Sequence, residues 1–397
     1  MKLADRLRPI HPSATLALNA KAKALAATGV DVASMVAGEP DFDTPDFVKD
    51  AAVAALKSGF TKYTASAGIP ELRAAICDKL KNDNHLSFRP EQILVSCGAK
   101  HSFFNFCQAA INPGDEVIIF SPYWVSYPDI VKLAGGLPVI VETREEDQYV
   151  PDPEALRRAL SPRTRALVIN SPSNPTGAVL SRATLESIAA AVRRHECLIV
   201  SDDIYEKLLY QPEPFVNIAN VAPDLFERTV VINGMSKAFA MTGWRVGYTA
   251  GPQPLINAMT LVQDQSTSNA SSVSQKAAVA ALRGPTQALH EMVAEFRTRR
   301  ELCVSGLNAV DGVRCRSPEG AFYTFPSIRG LFGRTFKNQR LTDSMQVSAI
   351  LLEDFRVAVV PGLPFGAEGY LRISFATSRA TIEKGLARIG QLVSALK

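Results

Sequence analysis

Short apolar runs and helix-like segments alternate along the first 280 residues. The apolar runs are too short for helices, rich in Val and Ile, and nearly continuous, which is typical of strands buried on both faces. Helical periodicity lies between them, as in Pro153–Leu160 and in Ser181–His195, where Ser181 is a plausible N-cap. The runs are Ile93–Val95, Val117–Phe120, Pro138–Val141, Leu167–Ile169, Leu198–Val200, Val230–Ile232 and Val246–Ala250. This alternation predicts an α/β fold with a mainly parallel sheet and helices on both faces.

The pattern changes after Ala280. A long helical segment, Pro285–Leu307, leads into shorter alternating runs that are typical of a second, α+β domain. The first 45 residues hold one good helix, about Thr15–Ala27, and we expect this arm to pack against the C-terminal part. A chain of 397 residues also exceeds the size at which one core stops growing. We therefore predict a large domain at 46–282 and a small domain made of 1–45 and 283–397.

Composition and charge exclude several classes of protein. The chain is 47% hydrophobic and 21% charged, and 43 basic against 39 acidic residues give a net charge of +4. No block of one sign suggests nucleic acid or a membrane surface, and no apolar run reaches the length of about 18 residues that a membrane span needs. Six scattered cysteines show no CxxC pair and no zinc spacing, so we predict no metal site. The N-terminus lacks the apolar stretch of a signal sequence, and we expect a cytoplasmic protein.

Chemically useful residues follow five of the predicted strands. In an open α/β sheet the ligand lies outside the carboxyl ends of the strands. Gly98 and Ala99 follow the first run and open a helix, where backbone N–H groups could cradle a phosphate. The other strand ends supply an aromatic ring, an amide, an acid with a phenol, and a lysine with an arginine: Trp124, Asn174, Asp202, Tyr205, Lys237 and Arg245. Each residue alone could be an ordinary turn, core or surface residue, but five strand ends together favour one ligand site.

These groups suit a phosphorylated aromatic aldehyde with a basic ring nitrogen, which is pyridoxal 5′-phosphate. Lys237 would form the Schiff base, an acid would keep the pyridine nitrogen protonated, and Arg245 would face the phosphate. Nearby positive charge would lower the proton affinity of Lys237. The lysine could then act first as a nucleophile and later as a proton shuttle.

Four segments carry a resemblance to a known family. The segments are SPSNPTG (171–177), SDDIYE (201–206), SKAFAMTGWRVGY (236–248) and LRISFAT (371–377). They resemble the class I pyridoxal-phosphate aminotransferases of fold type I, and within them the bacterial and plant aspartate aminotransferase subgroup. The match runs from PSATLALNAKA (12–22) to FGAEGYLRIS (365–374). It implies a large cofactor-binding domain with a seven-stranded, mainly parallel sheet, a smaller α+β domain, and transfer of an amino group from L-aspartate to 2-oxoglutarate.

The resemblance also implies a role for each cofactor-binding residue. Lys237 would be the Schiff-base lysine and would carry out the 1,3-proton transfer. Asp202 would pair with the pyridinium nitrogen, while Tyr205 and Asn174 would hydrogen-bond the ring oxygen. Trp124 would stack on the ring. The phosphate cup would be formed by Gly98, Ala99, Ser236 and Arg245.

Substrate binding follows from the same resemblance. Arg372 would clamp the α-carboxylate in a bidentate pair, helped by the Gly38 backbone and by Asn174. In the aspartate subgroup a lysine at the start of the phosphate-loop helix meets the distal carboxylate, and here that residue is Lys100. Alternatively, Lys100 only adds positive charge near the phosphate. The expected helpers on the N-terminal arm are Ser13 and Thr15.

The family builds its active site across a homodimer. Tyr63 would then reach the phosphate held by the partner subunit, and Ser268–Asn269 would lie near the same junction. No nucleic acid or membrane partner is expected, and the remaining partners are small amino acids and keto acids.

Some residues depart from the family pattern, and other functions stay open. Val36 and Asp203 replace an expected Gly and Glu, and Gly234 lacks a hydroxyl that the other aspartate subgroup uses for phosphate. His11 stands where relatives that use prephenate tend to carry lysine, although Thr15 and Lys100 are retained. The alternatives are a glutamate/aspartate–prephenate or aromatic aminotransferase, a carbon–sulfur lyase, or a transcription regulator built on this fold. The regulator is disfavoured because the fold begins within the first dozen residues.

Overall fold

A seven-stranded sheet forms the centre of the protein. The structure is a computed structural model that describes residues 3–12 and 14–397. One strand, Gly247–Ala250, is antiparallel to both of its neighbours, and the other neighbouring pairs are parallel. In order across the sheet the strands are Ile93–Ser96, Gly247–Ala250, Thr229–Gly234, Leu198–Asp202, Thr164–Asn170, Glu116–Ser121 and Leu137–Glu142. The predicted α/β fold with a mainly parallel sheet is confirmed.

Residues of the central strands alternate between two apolar cores. Val117 and Ile119 pack with the helix Ala99–Ala110 on one face of the sheet. Their neighbour Ile118 packs with the helix Arg182–Val192 on the other face. A strand that is covered on both sides needs apolar residues at successive positions, which explains the continuous runs in the sequence.

The strand Leu137–Glu142 departs from this rule. It lies at the edge of the sheet, and Leu137 and Ile140 are exposed. The prediction that every apolar run is buried on both faces is therefore wrong for this strand. Its four apolar side chains reflect β propensity rather than a double cover of helices.

Helices flank the sheet, and local signals define several of their ends. The side chain of Ser181 accepts a hydrogen bond from Thr184 N–H, as predicted, and Asp152 caps the helix that begins at Pro153. The helices that accompany the large sheet are Asp46–Lys57, Pro70–Asn84, Ala99–Ala110, Ser126–Leu133, Pro153–Ala159, Arg182–Val192, Ile218–Val221, Gln253–Asp264 and Ser272–Arg283. Over the described ranges, no helix has the length and apolar character required to cross a bilayer.

A smaller α+β region is built from both ends of the chain. It contains a three-stranded antiparallel sheet, Val360–Pro361, Leu371–Ser374 and Tyr323–Thr324. The arm joins it because Ala33–Ser34 pairs in parallel with Val357–Ala358. A further hairpin pairs Thr335–Phe336 with Gln339–Arg340. The helices of this region are Ala14–Ala27, Gln287–Asn308, Ser344–Glu353 and Arg379–Ser394. The division at 45/46 and 282/283 stays a prediction.

Candidate active site

Most of the predicted site residues line one cavity. The cavity has a volume of about 360 Å³ and lies where the carboxyl ends of the parallel strands meet the small region. Its walls therefore combine residues that are far apart in sequence. The predicted site residues that line it are Thr15, Gly38, Ala99, Lys100, Trp124, Asn174, Asp202, Tyr205, Ser236, Lys237, Arg245 and Arg372.

Lys237 sits half-buried on the floor of this cavity. Its Nζ donates a hydrogen bond to the Gly38 carbonyl at 2.5 Å and lies 5.8 Å from the centroid of the Tyr205 ring. Burial lowers the pKa of Lys237 to about 8. The carboxylate of Glu39 opposes this decrease, and the positive charge of Arg372 adds to it. At this pKa roughly a tenth of the lysine is neutral at pH 7, far more than for an ordinary lysine, and the neutral form is the one that acts as nucleophile or general base.

Asp202 is buried at the end of its strand and is held by neighbouring donors. The Tyr127 hydroxyl donates to Asp202 Oδ2 at 2.5 Å, and Ile204 N–H donates to Oδ1 at 3.3 Å. Burial raises the pKa of Asp202 to about 6, and the hydrogen bond from Tyr127 opposes that rise. Asn170 fixes the same corner, because its amide donates to the Asp202 carbonyl and its oxygen accepts from Asn174 N–H.

A tight loop shapes the end of the cavity at the helix Ala99–Ala110. Gly98 precedes this helix with φ +92°, and a Cβ there would lie 2.6 Å from Arg245 Nη2. Arg245 donates to the carbonyls of Cys97 and Thr242 at 3.1 and 2.9 Å, so its guanidinium is held beside the helix N-terminus. Free N–H groups and a fixed guanidinium form an anion-binding arrangement.

Arg372 is a buried cation, and one of its three guanidinium nitrogens has no hydrogen-bond partner among the described residues. Its Nη2 donates to the Val36 carbonyl at 2.7 Å, and its Nη1 donates to Asn174 Oδ1 at 3.3 Å. The ring of Tyr323 lies 4.5 Å from the guanidinium carbon. Nε is buried with no hydrogen-bond partner among the described residues, so this edge of the fork can receive a carboxylate.

Lys100 and Trp124 form another part of the wall. Lys100 Nζ lies 5.0 Å from the centroid of the Trp124 ring, within reach of a cation–π contact. Loss of hydration and the nearby charge of Arg245 lower the pKa of Lys100. Thr15, on the N-terminal helix, has a buried Oγ1 that finds no partner within the described part of the chain.

Other predicted residues lie outside the cavity. Tyr63 is 90% exposed, and Ser268–Asn269 do not line the site. Gly98 does not line the cavity, and its N–H donates to the Ser96 carbonyl at 2.7 Å. Ser13 lies outside the described residues. Among the residues that are described, no cluster of His, Cys, Asp or Glu could hold a metal ion.

Three residues of the site carry no role in the sequence analysis. Tyr127 bonds Asp202, Asn170 positions Asn174, and Tyr323 shares a 2.9 Å hydrogen bond between hydroxyls with Tyr205. Tyr127 lies three residues after Trp124, and the two rings meet edge to face at 5.1 Å, but this spacing does not indicate the bond to Asp202. Tyr323 lies 118 residues from Tyr205 and had no local signal.

Comparison with known proteins places the chain in a family. The family model for aminotransferase class I and II matches residues 30–389, and the chain belongs to this family. The resemblance found in the sequence is therefore confirmed.

Three relatives show how close the similarity is. The chain is 49% identical over 397 residues to an aspartate/prephenate aminotransferase from Nitrosomonas europaea, covering 99% of this chain and 100% of the relative. It is also similar to the crystal structure of an aspartate aminotransferase from Rhizobium meliloti, with 45% identity, a TM-score of 0.97 and complete coverage of both chains. An aspartate aminotransferase from Thermus thermophilus with maleate gives 46% identity and a TM-score of 0.93, covering 99% and 100%.

Proposed function

We propose that this protein is a pyridoxal 5′-phosphate-dependent aspartate aminotransferase that uses 2-oxoglutarate as the amino acceptor. The main support for this proposal is the arrangement of positively charged side chains in the cavity. Lys237 shares the cavity with Arg372, which has an unpartnered Nε, and with Lys100, which has no ion pair among the described residues. Two cations beside a weakly basic lysine suit an amino acid with two carboxylates.

The chemistry of the donor set fits the cofactor. Helix N–H groups after Gly98, the Arg245 guanidinium and the Ser236 hydroxyl would hold its phosphate, and Trp124 would lie against its ring. Asp202 would face the ring nitrogen, with Tyr205 and Asn174 at the ring oxygen. The bound cofactor supplies an aldehyde that accepts the amino group and a ring that withdraws electrons from the substrate α-carbon.

Lys237 is the group that moves the proton in this proposal. Its Nζ would take the proton from the substrate α-carbon and return it to the cofactor side of the reacting bond. A pKa of about 8 leaves both protonation states accessible near neutral pH, as a proton shuttle needs. Asp202 would stay charged because the Tyr127 hydroxyl and Ile204 N–H stabilise its carboxylate.

Arg372 and Lys100 would orient the substrate. The α-carboxylate would take the free edge of Arg372, which Asn174 and the Val36 carbonyl already hold in place. The distal carboxylate would meet Lys100, with the Thr15 hydroxyl as a further donor. The Thermus thermophilus relative was solved with maleate, a dicarboxylate, which supports this reading.

We also propose a homodimer with shared active sites, in the cytoplasm. Tyr63 is 90% exposed in the single chain, and a large exposed aromatic side chain is a candidate for an interface. It would reach the phosphate held by the partner subunit, with Ser268–Asn269 near the same junction. All six cysteines lie in the described residues and none is paired, which supports a reducing compartment.

A single-turnover experiment tests the function. Holoenzyme is mixed with L-aspartate without any keto acid, and oxaloacetate is quantified. Close to one equivalent per active site is expected, followed by steady turnover once 2-oxoglutarate is added. L-alanine at the same concentration serves as the monocarboxylate control. Formation of no oxaloacetate before the acceptor is added would contradict the proposed half-reaction.

Prephenate as an amino acceptor is a second candidate. The Nitrosomonas europaea relative is named for both aspartate and prephenate. This chain has His11 at the position where a lysine was expected for prephenate use, and His11 is exposed on the arm. Replacing 2-oxoglutarate by prephenate in the same assay tests whether prephenate is an acceptor. If prephenate restores steady turnover of L-aspartate, the protein has the second activity.

A further inference from the structure

A second cavity lies next to the candidate active site. It has a volume of about 500 Å³ and lies between the helices Pro70–Asn84 and Gln287–Asn308, with the strand ends at Asn233 and Tyr248 contributing to its walls. We call it the junction cavity. Ile204 lines both cavities, so the two are neighbours, but none of the proposed catalytic residues lines the junction cavity.

Two unpartnered donors mark the junction cavity as a binding site. Tyr248 is 1% exposed and Asn233 is 4% exposed, yet Tyr248 Oη and Asn233 Nδ2 have no partner among the described residues. The two residues are cross-strand neighbours, so their side chains leave the sheet on one face. Asn233 Oδ1 accepts from Gly234 N–H at 2.7 Å, which fixes the amide and leaves only its donor end free. Buried donors without partners are costly and uncommon.

The charges near these donors favour a neutral acceptor. Lys79 forms an ion pair with Glu206, and Asn84 bonds both of them at 2.6 Å, so this pair is internally neutralised. Burial, and then the carboxylates of Glu206 and Asp203, raise the pKa of Tyr248, which keeps its hydroxyl protonated as a donor. An anionic group would find no unpaired cation among the described residues beside these donors, because Lys79 is already paired with Glu206. A hydroxyl oxygen accepts hydrogen bonds without adding charge.

The rest of the junction cavity has an apolar body and a positive mouth. Ile204, Phe239, Leu289 and Val293 supply apolar walls. At the exposed side Lys207 is paired with Asp83 at 2.7 Å, whereas Arg297 is exposed and forms no ion pair with a described residue. The mouth therefore carries one uncompensated positive charge.

We propose that the junction cavity binds a small hydroxyaryl carboxylate. Its hydroxyl would accept from Tyr248 and Asn233, its ring would pack on the apolar walls, and its carboxylate would lie toward Arg297. The site is separate from the one that handles amino and keto acids. Ala238, the residue after Lys237, lines the junction cavity, and Ile204 lines both cavities, so an occupant would contact the chain next to the proposed Schiff-base lysine.

A binding experiment on the holoenzyme tests this proposal. The probe is 3-fluoro-4-hydroxyphenylacetate, followed by fluorine NMR in saturating maleate so that the active site is occupied. Saturable binding is expected, and 3-fluorophenylacetate, which lacks the hydroxyl, should bind about tenfold more weakly. Tyr248→Phe should weaken the first probe by about the same factor, and Arg297→Gln by roughly threefold. L-aspartate turnover of both variants should remain.

Matched variants locate the probe. Tyr149→Phe removes a buried hydroxyl and Arg194→Gln removes an exposed charge, both outside the junction cavity, and neither should change the affinity. Absence of saturable binding, or equal affinity in wild type and Tyr248→Phe, would overturn the proposal. The melting temperature of the ligand-free Tyr248→Phe variant should not fall. A fall would indicate that the hydroxyl already bonds a structural water, which would contradict its role as a ligand donor. Because the readout is binding, a failure of the transamination proposal would be seen separately.

Discussion

We expect the preference for a dicarboxylate to depend on Lys100. This residue is the second of the helix Ala99–Ala110 and lines the cavity that also contains Arg372, and its Nζ lies 5.0 Å from the centroid of the Trp124 ring. A charge-assisted hydrogen bond is worth about 1.5–3 kcal/mol, which corresponds to roughly 10- to 150-fold in kcat/KM. Lys100→Met removes the charge and keeps an aliphatic stem against Trp124. We expect this loss for L-aspartate and little change for L-alanine.

The assay compares the donor kcat/KM for L-aspartate and L-alanine in wild type, Lys100→Met and Lys100→Arg. In a two-half-reaction scheme the donor kcat/KM does not depend on the keto acid, so loss of 2-oxoglutarate binding cannot distort it. Lys100→Arg keeps the charge and should retain part of the preference. An equal loss for both donors would refute the reasoning and assign Lys100 to the phosphate instead.

The same preference should depend on pH. Loss of hydration, followed by the charge of Arg245, lowers the pKa of Lys100. Because the ammonium is the binding form, the contact is present at low pH and is lost as pH rises through this lowered pKa. The ratio of aspartate to alanine kcat/KM should therefore fall at a pH below the ordinary lysine range. It should be flat in Lys100→Met.

Three further substitutions test the rest of the site. Tyr127→Phe removes a hydrogen-bond donor to Asp202, so the pKa of Asp202 should rise above about 6. Because the carboxylate is lost as pH falls through this pKa, the acid limb of the pH profile of donor kcat/KM should move up by about 1–2 pH units. An acid limb at the wild-type pH would contradict this role of Tyr127. Gly98→Ala places a Cβ against Arg245 at a φ of +92°, and equilibrium dialysis should show roughly 5- to 150-fold weaker binding of pyridoxal phosphate to the apoenzyme, whereas an unchanged Kd would exclude this role. Arg372→Lys loses the planar fork, so kcat/KM should fall roughly 10- to 150-fold for L-aspartate and L-alanine alike, and a loss confined to aspartate would contradict the assignment.

Packing explains where the sequence prediction of the fold was wrong. Leu137–Glu142 is as rich in Val and Ile as the inner strands, but it lies at the sheet edge with Leu137 and Ile140 exposed. Composition reports the preference of a segment for extended structure. Its place in the sheet depends on which strands pair with it, and strand pairing is a long-range property.

Local features of this protein could be predicted from short segments of its sequence. Apolar runs of a few residues gave the strands, and Ser181 marked a helix start through its own side chain. The residues that end the strands were predicted to meet because parallel strands share one carboxyl edge, and Asp202 and Lys237 do line one cavity. These inferences depend on periodicity, capping and strand direction, which short segments encode.

The contacts between distant side chains and the protonation of the site depend on the packing of the whole chain. Arg372 reaches Asn174 across 198 residues, and Tyr323 reaches Tyr205 across 118. The family resemblance brought Arg372 and Asn174 to the same carboxylate, but no periodicity or spacing predicts either hydrogen bond. The pKa values of Lys237 and Asp202 likewise depend on how deeply folding buries them and on which charges it brings near. Burial and the approach of distant side chains result from packing of the whole chain. The sequence could therefore identify these groups as candidates, but it could not predict their hydrogen-bond partners or their protonation states.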